Sequence, residues 1–232
     1  EIKSFISSEI SKSYKQGRRD ERERILKVVE NMQEKCLPYP CLSEVKDLLE
    51  QKEKPKNHDE VETLNVAKAV EYIKTNNEKI SVAFIRKIHL ICFKGTKTFA
   101  GELRKVEVVI RDGQGNVVHQ GAPYKNVENL LKSLCAWHEK HHKKYPPLLL
   151  AAVMHNEFEK IHPFQDGNGR VGRLLLNYVL LRQGYPPLNI RLKDRARYYK
   201  CLQWYDYRND LKSTLKFLVK QFYHLGYVYP TL

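Results

Sequence analysis

Ile161-His162-Pro163-Phe164-Gln165-Asp166-Gly167-Asn168-Gly169-Arg170-Val171-Gly172-Arg173 is the stretch whose reading decides the fold. Pro163 stops a helix, because the residue before a proline is biased away from helical backbone. Gly167 and Gly169 permit a tight turn and close backbone approach. A new helix is predicted from Arg170, with Val171, Leu174, Leu175, Tyr178 and Val179 apolar at helical spacing. Arg170, Arg173 and Asn177 share the opposite side. Free N–H groups, a positive dipole end and two guanidinium forks together make an anion site. Asp166 stands just before it, where a carboxylate beside bound phosphates would hold Mg2+. His162 stands at the lip and can accept a proton near neutral pH. An Asx turn with solvated arginines is the plain alternative. It leaves base, carboxylate, cradle and arginines in one short run unexplained.

Upstream of this stretch, Leu148 to Met154 is apolar all round, as in a helix buried in a core. His155 on the same segment reads as a packed histidine. Asn126 is placed to cap a helix bearing Val127, Leu130, Leu131, Leu134 and Trp137, with Pro146-Pro147 as its separator. Further upstream, Val66, Ala69, Val70 and Ile73 recur at helical spacing. Ser81 caps a segment with Phe84, Ile85, Ile88, Ile91 and Cys92 inward. Gly101-Glu102-Leu103-Arg104 then leads into Val106–Ile110, which reads as a strand. Asp112-Gly113-Gln114-Gly115-Asn116 is turn chemistry, and Val117-Val118-His119 returns. Downstream, Gly184-Tyr185-Pro186-Pro187 ends the signature helix. Asp194 and Asp210 are placed to cap two more helices, the second with Leu211, Leu215, Leu218, Phe222 and Leu225 inward. The expected fold class is all-α, a helical bundle interrupted by one β-hairpin.

The chain has 232 residues and a formal net charge of +14. That length suits one domain, or one domain with an appendage. The charge favours anionic partners, ATP and nucleic acid among them. It is spread along the chain, and no recognition-helix or base-stacking motif supports a nucleic-acid module. The local cluster His138, His141, His142, Lys143 and Lys144 reads as the solvated end of a helix. The five cysteines (Cys36, Cys41, Cys92, Cys135, Cys201) are scattered without Cys-x-x-Cys. They fit a reducing, cytoplasmic setting and argue against a structural zinc site. No run of apolar residues reaches the length of a membrane span. The first residue is Glu1 rather than Met, so a piece of a longer protein is expected.

The quoted stretch resembles the Fic signature, His-Pro-Phe-x-Asp/Glu-Gly-Asn-Gly-Arg-x-x-Arg, at every specified position. The likeness runs from roughly Asp59 to Phe222. It implies a Mg2+-dependent protein adenylyltransferase that moves AMP from ATP to a Ser, Thr or Tyr hydroxyl of a target protein. It further implies His162 as general base, Asp166 on Mg2+ and Gly167-Asn168-Gly169 around the phosphates, the Asn168 side chain helping. Arg170 would serve the β-phosphate and Arg173 the γ-phosphate, and Phe164 would be a core residue. The hairpin would be the flap, with Val108, Val109 and Ile110 pairing with an extended target segment by β-augmentation. Tyr198 and Tyr199 would lie near adenine. Asp206 stands where many relatives have Asn. The related Doc branch, with a lysine-containing turn, phosphorylates instead, and Gly169 argues against it. De-AMPylation and phosphotransfer are the alternatives on this fold. Homodimers occur among relatives. A separate DNA-binding domain also occurs, so nucleic acid enters only with a further domain.

A helix from about Gly17 is predicted from Ile25, Val28, Val29, Met32 and Cys36. Pro38 and Pro40 end it, and a short helix follows around Ser43–Gln51. Lys52–His58 is a charged linker, dividing a helical extension (1–57) from the catalytic domain (58–232). Many Fic proteins carry an inhibitory helix with the pattern Ser/Thr-x-x-x-Glu-Gly/Asn, whose Glu pairs with the second signature arginine. Leu26-Lys27-Val28-Val29-Glu30-Asn31 fits at Glu30-Asn31 and departs at Leu26. Ser7–Lys12 has the serines and Ile10 but lacks Glu at the needed place. Glu30 is therefore the expected brake on Arg173.

Overall fold

A computed structural model describes residues 54–224. The predicted helices around Gly17–Cys36 and Ser43–Gln51, with Glu30, lie outside the described residues. Two compact units divide between Pro187 and Leu188. Among the described residues are seven α-helices and one two-stranded antiparallel hairpin, the expected class. No described helix is long and apolar enough to cross a membrane.

The first unit starts with α1 (His58–Thr75), capped by Asn57, whose side chain accepts from the Glu60 N–H at 2.9 Å. The Glu60 carboxylate reaches back to the Lys56 N–H, closing a reciprocal cap. In α2 (Val82–Phe93), Ser81 Oγ accepts from the Phe84 N–H as expected. Then come β1 (Val109–Arg111), β2 (Val117–Gln120), α3 (Val127–His141), α4 (Pro147–Ile161) and α5 (Asn168–Arg182). The signature helix α5 packs on α4, α1 and α2. All five of its expected apolar positions are buried. Each such side chain contributes about 1.5–3 kcal/mol of transfer free energy. Cys92, Cys135 and Cys201 are buried free thiols.

Several expectations shift. The signature helix starts at Asn168, not Arg170. Gly167 takes left-handed backbone (φ 81) at its N-cap, and its carbonyl already accepts from Arg170 and Val171. The first strand starts at Val109 rather than Val106, because the Arg104 guanidinium claims the Val106 carbonyl. Asn126 occupies the start of α3 without a side-chain cap, since a 3₁₀ turn (Tyr124–Asn126) leads directly into the helix. Ile91 and Trp137 are partly exposed, and Leu130 is exposed.

The second unit holds α6 (Arg195–Arg208) and α7 (Leu211–His224), packed on each other. Asp210 caps α7 through the Ser213 N–H as expected. Asp194 precedes α6 but does not cap it. Its carboxylate is taken by Arg191 at 2.6 and 2.8 Å and by Gln221 at 3.2 Å.

Candidate active site

His162 closes α4. Pro163 blocks continuation, and His162 turns into left-handed backbone at φ 53, ψ 62. That conformation is uncommon for a residue with a side chain and marks a constrained position. The imidazole Nδ1 lies 3.3 Å from the Glu159 carbonyl. A carbonyl only accepts, so Nδ1 carries the proton and Nε2 keeps its lone pair. His119 of β2 faces the ring, with centroids 5.3 Å apart. Burial pushes the His162 pKa down to about 4, and the like charge of His119 adds to the shift. The sequence alone had suggested titration near the ordinary histidine value. In the fold the ring is neutral across the physiological range.

The loop behind His162 is held from inside. Phe164 is fully buried and stacks on His89 at 3.9 Å and 11°. His89 Nδ1 accepts from the Gly101 N–H at 2.8 Å, so its Nε2–H donates to the Asp166 carbonyl at 3.1 Å. Asn168 also points inward. Its Oδ1 accepts from the Phe164 N–H and its Nδ2 donates to the Phe164 carbonyl, both at 2.8 Å. Each end of the amide thus makes one bond to the loop. A Cβ at Gly167 would lie 2.2 Å from the Phe93 ring. Glycine is needed there for both φ and space.

The outward-facing groups differ in their freedom. Asp166 is half-exposed; Oδ1 accepts from the Gly167 N–H at 2.7 Å and Oδ2 pairs with Lys97 at 3.5 Å. No cluster of three or more His, Cys, Asp or Glu exists among the described residues, so a closed protein cage for a metal is lacking. A single accessible carboxylate beside a helix start still suits Mg2+, which keeps waters and shares phosphate oxygens. Arg170 is ion-paired with Glu62 and lies over Phe93 at 4.4 Å. Arg173 is partly exposed and forms no hydrogen bond or ion pair with any described residue. Its Nη1 lies 3.2 Å from where a Cβ on Gly169 would stand. The first N–H groups of α5, those of Asn168 and Gly169, lack intrahelical acceptors, as at any helix start.

Sequence reasoning missed Glu62, His89, Arg104 and Glu159. One Glu159 carboxylate oxygen is buried without a hydrogen-bond partner. Burial pushes this carboxyl up to about 7, with Arg173 pulling it back. Gly172 makes the room, since a Cβ there would sit 2.2 Å from that oxygen. A clue existed: Glu159 lies one helical turn before His162.

The hairpin is rooted on this loop. Arg104 N donates to the Pro163 carbonyl at 3.0 Å and Ala122 N to the Ile161 carbonyl at 3.2 Å. Val109 and Ile110 are exposed, and Val108 is half-buried just before β1. Tyr198 and Tyr199 belong to the second unit. Tyr198 packs on Phe217 with ring centroids 6.0 Å apart, and Tyr199 is exposed beneath Arg195.

A left-handed histidine beside a helix start with open N–H groups, on a helical bundle with one hairpin, defines a class. Residues 79–180 match the Fic/DOC family model, and the chain carries a Fic/DOC family domain. It is 30% identical over 169 residues to a protein adenylyltransferase Fic of Nematostella vectensis, covering 70% of this chain and 38% of that protein. It is 31% identical over 167 residues to one of Aedes aegypti, covering 69% and 32%. The chain thus spans well under half the length of these relatives. A Fic domain containing signaling protein from Bacteroides thetaiotaomicron aligns with a TM-score of 0.75 at 24% identity, covering 87% of this chain and 81% of the other. Fic-1 from C. elegans aligns at 0.76 and 21%, covering 96% and 68%. At these identities the structural likeness speaks for the fold.

Proposed function

We propose that the chain is a protein adenylyltransferase that transfers AMP from ATP to a Ser, Thr or Tyr hydroxyl of another protein. The observation that carries this is the placing of His162 Nδ1 3.3 Å from the Glu159 carbonyl, which favours the Nδ1–H tautomer and leaves Nε2 to act as the base. His162 takes the proton of the attacking hydroxyl. The hydroxyl oxygen bonds to the α-phosphorus as the bond to the β-phosphate bridge breaks, and pyrophosphate leaves. The main-chain N–H groups at the start of α5 receive phosphate oxygens, and Arg173 receives the γ-phosphate. Asp166 would hold Mg2+, which when bound would neutralise charge on the phosphates. Arg170, paired with Glu62, acts at the β-phosphate edge by its positive field. The exposed edge at Val109 and Ile110, with Val108, lays the target segment alongside. Glu30 restrains the enzyme by pairing with Arg173.

The test is label transfer from α-labelled ATP with Mg2+, using wild type, His162→Ala and Glu30→Gly, with self-modification as readout. Weak label in wild type, strong label in Glu30→Gly and none in His162→Ala is the expected result. Equal label in wild type and Glu30→Gly removes the brake from Glu30. Label only from γ-labelled ATP replaces adenylylation by phosphotransfer.

A further inference from the structure

Arg104 is heavily engaged among the described residues, and it has no part in the proposed chemistry. Its side chain is fully buried. Nε donates to the His162 carbonyl at 2.7 Å. Nη1 donates to the Val106 carbonyl at 2.8 Å and pairs with the Glu107 carboxylate at 3.6 Å. Nη2 donates to the Ala122 carbonyl and, at 3.3 Å, to the Ile161 carbonyl. Four N–H protons thus meet four carbonyls, with the Glu107 carboxylate as an ion-pair partner beside them. Val106 and Ala122 are the two roots of the hairpin, one on each leg. Ile161 and His162 are the end of α4 and the base itself.

We propose that Arg104 is a positioning residue that locks the hairpin to the base, setting where a target hydroxyl arrives relative to His162. The inference rests on the adenylyltransferase reading for its consequence but not for its geometry. A docking edge is useful only if its distance from the base is fixed. Two strands alone are marginally stable in water. Here both roots and the base share one planar fork, so the edge cannot move without breaking bonds to the His162 segment. The main chain repeats the link through Arg104 N to Pro163 and Ala122 N to Ile161. Gly121 belongs to the same device: a Cβ there would lie 2.8 Å from Arg104 Nη2 and 3.2 Å from His162 Cβ. A lysine cannot replace the fork, because an ammonium is a point donor that cannot span four carbonyls.

The experiment compares full-length wild type with Arg104→Lys and Gly121→Ala. The first readout is amide hydrogen exchange, which needs neither target nor activity. The Gly121 and Ala122 amides, bonded to the Val108 and Ile161 carbonyls, should exchange at least about tenfold faster in Arg104→Lys. The α5 amides should stay protected. The second readout is self-labelling from α-labelled ATP against the affinity for ATP-Mg2+ by equilibrium dialysis. Labelling should fall at least about tenfold while ATP affinity changes less than about twofold. Gly121→Ala should move both readouts the same way. Unchanged exchange at Gly121 and Ala122 overturns the proposal. So does loss of protection throughout α5, or loss of ATP affinity in step with labelling, since either makes Arg104 a general structural residue. If neither wild type nor Glu30→Gly labels but exchange at the hairpin roots rises as expected, the adenylyltransferase reading fails and the mechanical link stands.

Discussion

Replacing Asn168 by alanine removes a side chain that is 2% exposed and that satisfies both main-chain groups of Phe164 at 2.8 Å each. Phe164 is itself fully buried, so its N–H and carbonyl would be left without partners. Each orphaned buried group costs about 1–3 kcal/mol, so the variant should lose about 2–6 kcal/mol. Against a typical domain stability of about 5–15 kcal/mol, that is a large fraction. Asn168→Asp keeps an acceptor for the Phe164 N–H but turns a carboxylate oxygen towards the Phe164 carbonyl, so it should be no better. The assay is urea unfolding of the full chain without nucleotide, followed by circular dichroism, beside ATP-Mg2+ binding at a denaturant-free temperature where the variant is folded. If the side chain instead serves phosphates, stability would hardly move and ATP affinity alone would fall. A stability change under about 0.5 kcal/mol, the range of ordinary surface substitutions, would refute the assignment of Asn168 to the loop.

Gly167→Ala should lower the melting temperature with or without nucleotide. The residue sits at φ 81 and its Cβ would meet Phe93 at 2.2 Å; left-handed backbone and overpacking cost about 1–3 kcal/mol each. An unshifted melting temperature would show that the turn is not built this way. Stability should also depend on pH in a defined direction. Burial holds His89, His155 and His162 down at about 4, below the ordinary 6.5, so the unfolded chain binds more protons between these values. Stability is therefore present above about 6.5 and lost as pH falls towards about 4. Glu159, raised to about 7, acts in the opposite sense: its contribution is present below 4.5 and lost as pH rises through about 7. Three histidines outweigh one carboxyl, so net acid destabilisation is expected, and Glu159→Gln should raise stability at pH 8 relative to wild type. Urea unfolding at pH 5, 6.5 and 8 reads both effects; a gain at pH 5 that vanishes at pH 8 would contradict the Glu159 account.

What the sequence made legible follows from periodicity and local chemistry. The five apolar positions of the signature helix are buried because a 3.6-residue repeat needs no tertiary information to be read. Ser81 could be recognised as a cap because capping is decided within four residues. Asp194 misled for the converse reason. Its local position suits a cap, but Gln221, distant in sequence, and Arg191 compete for the carboxylate. The same limit hid His89, Arg104 and Glu62. Their partners lie at sequence separations of 77, 58 and 108 residues. Nothing in a local window says that a histidine on an apolar helix face will hold the carbonyl of Asp166. The Gly101-Glu102-Leu103-Arg104 run was visible as a lead-in to a strand, but the shortening of that strand follows from where its arginine side chain ends up.

The signature therefore mixes two kinds of residue that a motif writes alike. Asn168 and Phe164 are consumed by each other, and Gly167 by its backbone angle and by Phe93. Arg170 is neutralised by Glu62, whose side chain is only 13% exposed. A guanidinium held this way keeps its field but not its full set of donors, so an arriving anion would have to share it. Arg173 keeps its donors among the described residues, and Asp166 has only the half-exposed Lys97 to displace. Exposed ion pairs of that sort contribute about 0–1 kcal/mol, so Lys97 is a weak competitor for any ligand of Asp166. The groups left open are thus His162 Nε2, the Asp166 carboxylate, the first N–H groups of α5 and Arg173. They are a base, an anionic ligand, a row of neutral donors and a cation, in that order along the chain. His162, the Asp166 main chain and the start of α5 are held in place by residues that make no claim on a ligand themselves, and one of those holds, Arg104 on the His162 carbonyl, lies outside the signature.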